Sequence, residues 1–142
     1  MKALLIDQTH VVYSLAPSDL CSSAVVCFTD CFIIIANGAS HPFRIDNDPV
    51  PGYNFPNNDV AAGLKNMIDS AASEDELKSK LLDLIQNNQT CVVNFSDYKK
   101  AKISGFLGAK SLRVSNNAMK YITFSVRKEA AKALVEFYSG VL

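Results

Sequence analysis

Four cysteines and two histidines are the residues whose chemistry could make this chain an enzyme or a metalloprotein. They are Cys21, Cys27, Cys31, Cys91, His10 and His41. No two of the cysteines form a C-x-x-C pair, and the histidines do not complete the spacing of a zinc site. We therefore expect no metal and no cofactor, and we expect buried thiols that pack as small hydrophobes.

A small cysteine-dependent enzyme is the catalytic alternative. The chain has neither a G-x-S-x-G motif nor a cysteine-protease signature. His10 lies in an apolar segment, where a structural imidazole is the expectation. His41 precedes Pro42 in a loop and is the better candidate base, with Cys31 or Cys91 as its partner. The acidic residues fall on predicted caps and helix surfaces, so no pair of catalytic carboxylates is identified. The sequence thus favours a protein without catalytic activity.

Five cations in the last third are the candidate ligand-binding residues: Lys99, Lys100, Lys102, Lys110 and Arg113. Lys100 and Lys102 are two residues apart, so they share one face of a strand. Lys110 follows the segment 105–108, a flexible Gly-Phe-Leu-Gly connection that could present backbone N–H groups to a phosphate. The G-x-x-x-x-G-K-[ST] motif is absent. A solvated strand edge, where lysines discourage aggregation, explains the same residues.

Charge is segregated along the chain although the formal net charge is zero. Residues 1–89 hold five Lys/Arg and eleven Asp/Glu, whereas residues 90–142 hold nine Lys/Arg and three Asp/Glu. The zero total argues against a general nucleic-acid-binding protein, which needs a dominant basic surface. It leaves room for a local basic face, unless the two halves neutralise each other within one fold.

A second candidate surface is the segment 46–58, which is rich in proline and asparagine and is predicted to be an irregular loop. Tyr53 and Phe55 lie inside it and are the candidate partner-binding residues. Aromatic rings on a proline-stiffened loop can anchor a partner at low entropic cost. The alternative is that both rings fold down over the edge of the core.

The elements that must position these residues begin with strands. The first third predicts strands at 3–6, 10–15, 24–28, 31–36 and, as a short edge, 42–45. Thr29-Asp30 is the predicted hairpin turn between the third and fourth of them.

Two helices follow the loop. Asp59 is the predicted N-cap of the first, whose apolar stripe is Val60, Leu64, Met67, Ile68 and Ala71. Ser73 and Glu76 form a capping box at the start of the second. Its buried stripe is Leu77, Leu81, Leu84 and Ile85.

The last third predicts strands at 90–95, 101–107, 111–115 and 119–125. Asn116-Asn117 is the predicted type I′ turn between the last two strands, because asparagine tolerates positive φ. The segment 127–139 is amphipathic and predicts a final helix, with Ser125 as its cap. Strands, a helical pair, strands and a closing helix indicate an α+β fold with an antiparallel sheet.

Length and composition indicate one folded domain. The chain has 142 residues, which fits a single domain, 1–142, with a helical insertion at about 59–87. Its 49% apolar content excludes general disorder. No apolar run approaches the roughly 18 residues of a spanning helix, and the N-terminus has no signal-peptide pattern, so we expect a cytoplasmic protein.

The C-terminal third resembles the bacterial pleckstrin-homology-like (PH-like) domains. The string from Phe95-Ser96-Asp97 through Tyr138 matches a polar turn, three antiparallel strands and one closing helix, and the segment 26–35 is similar to the family's "T-D" hairpin. The resemblance implies a partly open antiparallel barrel, capped by the C-terminal helix. The helical pair departs from the simplest form of this fold and would have to be an insertion between the two sheets. It also implies a mostly non-enzymatic domain that binds lipid head groups, peptides or proteins, or that oligomerises.

From the residues and the resemblance together we predict a non-catalytic binding or scaffold module that recognises a protein or an acidic ligand, such as a lipid head group or a phosphate. We predict no nucleic-acid partner. Peripheral membrane contact and a homo-oligomer are further alternatives, the latter as an obligate self-assembling structural protein.

Overall fold

The computed structural model of this chain describes residues 3–13, 20–36, 43–45, 48–50, 59–117 and 120–142. Within these ranges the strands are Leu4–Tyr13 (β1), Leu20–Cys27 (β2), Cys31–Ala36 (β3), Phe43–Ile45 (β4), Asp48–Val50 (β5), Val92–Asn94 (β6), Lys100–Phe106 (β7), Ala109–Asn117 (β8) and Lys120–Arg127 (β9). The α-helices in the same ranges are Val60–Ser70 (α1), Glu74–Leu84 (α2) and Lys128–Phe137 (α3). The predicted α+β class is confirmed.

Seven of these strands form one antiparallel sheet in the order β6-β3-β2-β1-β9-β8-β7. The sheet curls into a half-barrel. The rings of Phe32 on β3 and Phe124 on β9 lie 5.2 Å apart, centroid to centroid. Their strands are three positions apart, roughly 14 Å in a flat sheet, so the contact requires strong curling. The predicted partly open antiparallel barrel is confirmed at this level.

Strand β1 occupies the middle of the sheet and pairs with both β2 and β9. The two strands predicted at 3–6 and 10–15 are one strand, because a bulge joins them. The register with β2 shifts between Ile6 and Thr9, and the two residues inside the shift, Asp7 and Gln8, are exposed. The bulge keeps Ile6 and Thr9 both buried although they are three positions apart.

The strand registers divide the sheet into an inner and an outer face. The inner face is the interior of the half-barrel, where β2 and β3 contribute Val25, Cys27, Phe32 and Ile34. Helix α3 packs on this side, and the Tyr138 hydroxyl donates a buried hydrogen bond to the Phe28 carbonyl oxygen at 2.7 Å. Helix α3 therefore caps the barrel interior, as predicted.

The helical pair covers the outer face of the sheet at β3, and α1 also contacts β1. All six residues of β3 are buried, so both of its faces are covered. On the outer side the Lys78 ammonium of α2 lies 5.1 Å from the centre of the Phe28 ring and 3.1 Å from an Asp30 carboxylate oxygen. The buried Leu64 of α1 and Leu77 of α2 complete this apolar layer.

The predicted helix starts are confirmed in their atomic details. The Ala62 N–H donates to the Asp59 carboxylate at 3.0 Å, and the Glu76 N–H donates to the Ser73 hydroxyl at 3.1 Å. The Glu76 carboxylate accepts in return from the Ala72 N–H at 2.7 Å. These local bonds satisfy backbone donors that the first turn of a helix leaves open.

Three local predictions are wrong. Strand β5 lies inside the segment that was predicted to be an irregular loop, because Asp48–Val50 pairs with β4. Asn116-Asn117 is not the turn: Asn117 pairs with Lys120, and the Asn116 side chain accepts a hydrogen bond from the Lys99 N–H at a register shift. Ser125 does not cap α3, since it belongs to β9, and the N-cap is Arg127, which makes no side-chain capping bond.

Candidate functional site

The meander β7–β9 carries a concentrated positive charge. Residues 100–127 hold six Lys/Arg and no Asp/Glu. The inner face of these strands supplies the buried Leu112, Val114 and Phe124 to the core. Polar side chains are therefore directed to the outer face, which the helical pair leaves open at this end of the sheet.

The strand registers place three of the predicted site residues on this outer face. Lys102 pairs with Arg113, which pairs with Thr123, and Lys100 occupies the next outward position of β7. Lys100 and Lys102 thus share a face, as their spacing predicted. The Arg113 guanidinium lies 3.8 Å from the centre of the Tyr121 ring, a cation–π contact that holds the charge in place.

A row of hydroxyl groups crosses the same three strands. Ser104 pairs with Ser111, and Ser111 pairs with Ser125. The Ser111 and Ser125 side-chain oxygens are 2.6 Å apart, and the Thr123 hydroxyl donates to the Leu112 carbonyl oxygen at 3.0 Å. We name the surface formed by Lys100, Lys102, Ser104, Ser111, Arg113, Thr123 and Ser125 the outer basic face.

A cleft continues the outer basic face where β1 and β9 separate. The two strands pair only over Val11–Tyr13, and beyond this point the Thr9 hydroxyl donates to the Ser125 carbonyl oxygen at 2.8 Å. The cleft has a volume of about 570 Å³. Its polar lining comes from Gln8, Thr9, His10, Thr123, Ser125 and Arg127.

His10 is the residue of this cleft that the sequence misassigned. The apolar neighbours of His10 predicted a structural imidazole with satisfied hydrogen bonds, but the residue is exposed. The reason is its position: the adjacent Val11 is buried on the inner face, so His10 is directed outward. The alternation of Thr9, Val11 and Tyr13 in the sequence already indicated that His10 faces outward. The placement of Ser125 and Arg127 next to His10 depends on the long-range pairing of β1 with β9.

The predicted cluster of five cations is divided by the sheet. Lys110 pairs with Gly105 and Val126, so it lies on the inner side, and it is half-buried with its Cδ against Gly105. Lys99 is exposed just before β7, and its backbone N–H donates to the Asn116 side chain at 3.1 Å. Lys100, Lys102 and Arg113 are the members that the fold brings together.

The connection at 105–108 is a closed hairpin turn and not a flexible cradle. Phe106 pairs with Ala109, so Leu107 and Gly108 form a two-residue turn with φ of 54° and 82°. This is type I′ geometry, which continues the sheet ladder up to the turn. Gly105 is required here because a Cβ would collide with the Ala109 carbonyl oxygen.

The described cysteines have the properties of core residues. Cys27, Cys31 and Cys91 are buried. Burial raises the pKa of Cys27 to about 12 even though the Tyr138 hydroxyl hydrogen-bonds to the thiol. Burial and the nearby Asp30 charge raise the pKa of Cys31 to about 12. Both thiols are therefore protonated near neutral pH and are poor nucleophiles.

Several candidates lie outside the described residues, namely Tyr53, Phe55 and His41. Within the described ranges, no three His, Cys, Asp or Glu side chains come together as a group that could hold a metal ion. No helix of this described part is both long and apolar enough to cross a membrane.

Comparisons with protein-family models, with curated proteins and with solved structures found no match for this chain.

Proposed function

We propose that this protein is a non-catalytic binding module whose outer basic face recognises a phosphate-bearing ligand. The observation that carries the proposal is the pairing of Lys102 with Arg113 beside a row of hydroxyl groups, on strands that contain no acidic residue. Cations supply the attraction for a doubly charged phosphate, and Ser104 together with one hydroxyl of the Ser111–Ser125 pair can donate to its remaining oxygens, since the Thr123 hydroxyl already donates to Leu112.

The rigidity of the surface supports this assignment. The cationic groups stand on a hydrogen-bonded sheet and not on a loop, and Arg113 is stacked on Tyr121. A side chain that is already ordered loses less conformational entropy when a ligand binds. Arginine also offers a planar pair of donors that matches two phosphate oxygens.

The exposure of the site sets its expected affinity. Lys100 and Lys102 are exposed and Arg113 is half-buried, so their charges interact with a ligand through water and mobile ions. Screening over about 8–10 Å at physiological salt makes such binding weak and dependent on salt. The open cleft at His10 adds a concave surface beside the cations, where a ligand could bury more of its own surface than on the flat sheet.

The relationship to PH-like domains remains part of this proposal. Its support is one curled sheet of seven antiparallel strands with a C-terminal helix on its inner side. In chain order the helical pair follows β5 and precedes β6. Domains of this resemblance are mostly binding modules, and the high thiol pKa values of Cys27 and Cys31 argue in the same direction, against a cysteine-dependent enzyme.

The proposal is tested by an NMR titration of the full chain with pyrophosphate and with O-phosphoserine. We expect shift changes centred on the amides of Lys102, Arg113, Thr123 and Ser125, and an affinity that falls between about 50 and about 200 mM salt.

The variant Lys102→Gln/Arg113→Gln should weaken binding about tenfold or more, since two charge-assisted contacts are lost. The matched control, Lys65→Gln/Lys80→Gln, removes the same charge from α1 and α2 and should bind normally. Equal affinity of the two double variants, or shifts centred elsewhere, would contradict the proposal.

A further inference from the structure

The tip of the β7–β8 hairpin presents a leucine that the fold does not use. Leu107 is 84% exposed and sits in the left-handed region at φ 54°, followed by Gly108 at φ 82°. Asparagine and glycine are favoured at the first position of a type I′ turn, whereas a leucine there is strained by its Cβ. Neither the turn conformation nor burial in the core therefore favours a leucine at position 107.

Cations surround this tip. Ala109, the first residue after the turn, pairs with the exposed Arg127, and Lys128 follows at the start of α3 with φ 57°. Lys110 pairs with Gly105 on the inner side of the same hairpin. Lys132 forms an ion pair with Glu129 at 3.4 Å, whereas Lys110, Arg127 and Lys128 form no ion pair within the part of the chain that the structure describes. These three cations form a collar around Leu107.

An open groove of about 620 Å³ runs behind the tip, between Gly108 and helix α3. Its floor includes Ala131 and Val135, and Val135 is 42% exposed. Lys110, Lys128 and Lys132 also line the groove, together with one acidic residue, Glu136. The apolar surface of Leu107 at the tip is thus followed by the apolar surface of Ala131 and Val135 in the groove, and lysine side chains border both.

We propose that this end of the molecule docks on an anionic lipid bilayer, with Leu107 inserted below the headgroups and Lys110, Arg127 and Lys128 on the lipid phosphates. A protruding apolar side chain within a ring of cations matches the interface of such a bilayer, which is apolar below a layer of negative charge. A second copy of this chain is disfavoured as the occupant, since it would bring the same cations into contact. A bilayer also accepts a leucine without the preformed pocket that a protein partner would need.

This inference uses the hairpin tip and not the Lys102–Arg113 pair, although Arg127 borders both the tip and the cleft that continues the outer basic face. Lys102 and Arg113 lie four residue pairs along the hairpin from the pair that closes the turn, Phe106 and Ala109. The two surfaces can therefore be disabled separately, and either proposal can fail without the other.

The experiment is co-sedimentation of the full chain with vesicles of phosphatidylglycerol and phosphatidylcholine, compared with vesicles of phosphatidylcholine alone. We expect binding only to the anionic vesicles. Leu107→Asn should reduce the partition coefficient about tenfold or more, because the burial of one leucine side chain is lost. Asparagine suits positive φ, so this variant should keep or raise its melting temperature. Lys128→Gln should reduce partitioning about fivefold.

Two control variants leave the tip intact. Val141→Asn removes another exposed apolar side chain, and Lys65→Gln removes another exposed lysine. Both should partition like the native chain, as should Lys102→Gln/Arg113→Gln. If the outer-face variant loses vesicle binding while Leu107→Asn retains it, the docking proposal is overturned and the outer basic face is the lipid-binding surface.

The insertion step has its own readout, because the chain contains no tryptophan. Leu107→Trp should show a blue shift of its emission when anionic vesicles are added. An unshifted spectrum overturns the proposal, as does the absence of vesicle binding. A concentration-dependent dimer that Leu107→Asn abolishes, without any vesicle binding, also overturns it in favour of a second copy as the occupant.

Discussion

Replacing Tyr138 by phenylalanine removes a single hydroxyl group that joins the last turn of α3 to the β2–β3 turn. The hydroxyl donates to the Phe28 carbonyl oxygen at 2.7 Å, and both groups are buried. The ring itself should stay in place, because it packs against Phe95 at 5.6 Å and against Phe137 at 4.9 Å. The variant therefore tests the hydrogen bond and not the packing.

The expected loss follows from what the carbonyl can do afterwards. With the hydroxyl gone, the buried Phe28 oxygen loses a partner in a site closed to water, which costs about 1–3 kcal/mol in the free energy of unfolding. For a chain of this length that loss lowers the melting temperature by about 3–10 °C. Urea unfolding followed by circular dichroism should show a lower midpoint with an unchanged m-value.

Thr123→Val is the matched control. It also removes a hydroxyl that donates to a carbonyl oxygen, at 3.0 Å from Leu112, but on the half-buried outer face. Water can replace the lost donor there, so we expect a change within about 0.5 kcal/mol. If Tyr138→Phe costs no more than this control, the assignment of α3 as a hydrogen-bonded cap on the barrel interior is wrong.

Three further predictions concern stability. Ser73→Ala should cost about 1 kcal/mol because the first turn of α2 loses its cap. Gly105→Ala should cost more than Gly108→Ala, since its Cβ collides with the backbone of Ala109 while Gly108 has open space and only an unfavourable φ. Stability should fall as the pH rises from about 9 towards 12, because the folded state keeps protons on the thiols of Cys27 and Cys31, whose pKa values are raised from 9.0 to about 12. Each thiol contributes a slope of at most about 1.4 kcal/mol per pH unit.

The checks on these predictions use the same urea series. Ser79→Ala, an exposed serine inside α2, should leave the unfolding midpoint unchanged. Comparable losses for Gly105→Ala and Gly108→Ala would show that the Ala109 backbone relaxes. Cys27→Ala should reduce the alkaline slope without abolishing it, because the pKa values of Cys31 and Tyr138 are also raised by burial. A native slope that is flat between pH 8 and 11 would refute the raised thiol pKa values.

The sequence predicted the elements whose determinants are local. Asp59 and Ser73 cap their helices through bonds that span three residues, and Thr29-Asp30 joins two continuous apolar strands. Such features depend on side chains that are close in sequence, so pattern alone identifies them. The strand order of the half-barrel was not predicted, since pairings such as Val11 with Phe124 leave no local trace in the sequence.

The candidate site was predictable only in part for the same reason. Alternation placed Lys100 and Lys102 together, because they lie on one uninterrupted strand. Alternation did not predict the face of Lys110, because the segment at Leu107 was predicted to be a flexible connection. Alternation says nothing about the faces of two strands that are joined by a connection of unknown geometry. A two-residue turn fixes the pairing of Lys110 with Gly105 and so sends the side chain to the inner face. The contribution of His10 required the approach of β9, which no nearby residue signals.

The central position of β1 has a consequence for biosynthesis. This strand precedes the other described strands in the chain, and its partner on one side, β9, follows them all, so the nascent chain carries an unsatisfied strand edge while the ribosome adds the intervening residues. Sheets that rely on pairings between strands distant in sequence fold slowly, and their unpaired strand edges are prone to aggregation until folding is complete. In a nascent chain arrested before Lys120, β9 is missing and the edge of β1 that pairs with it stays exposed. We expect such arrested chains to aggregate or to bind chaperones.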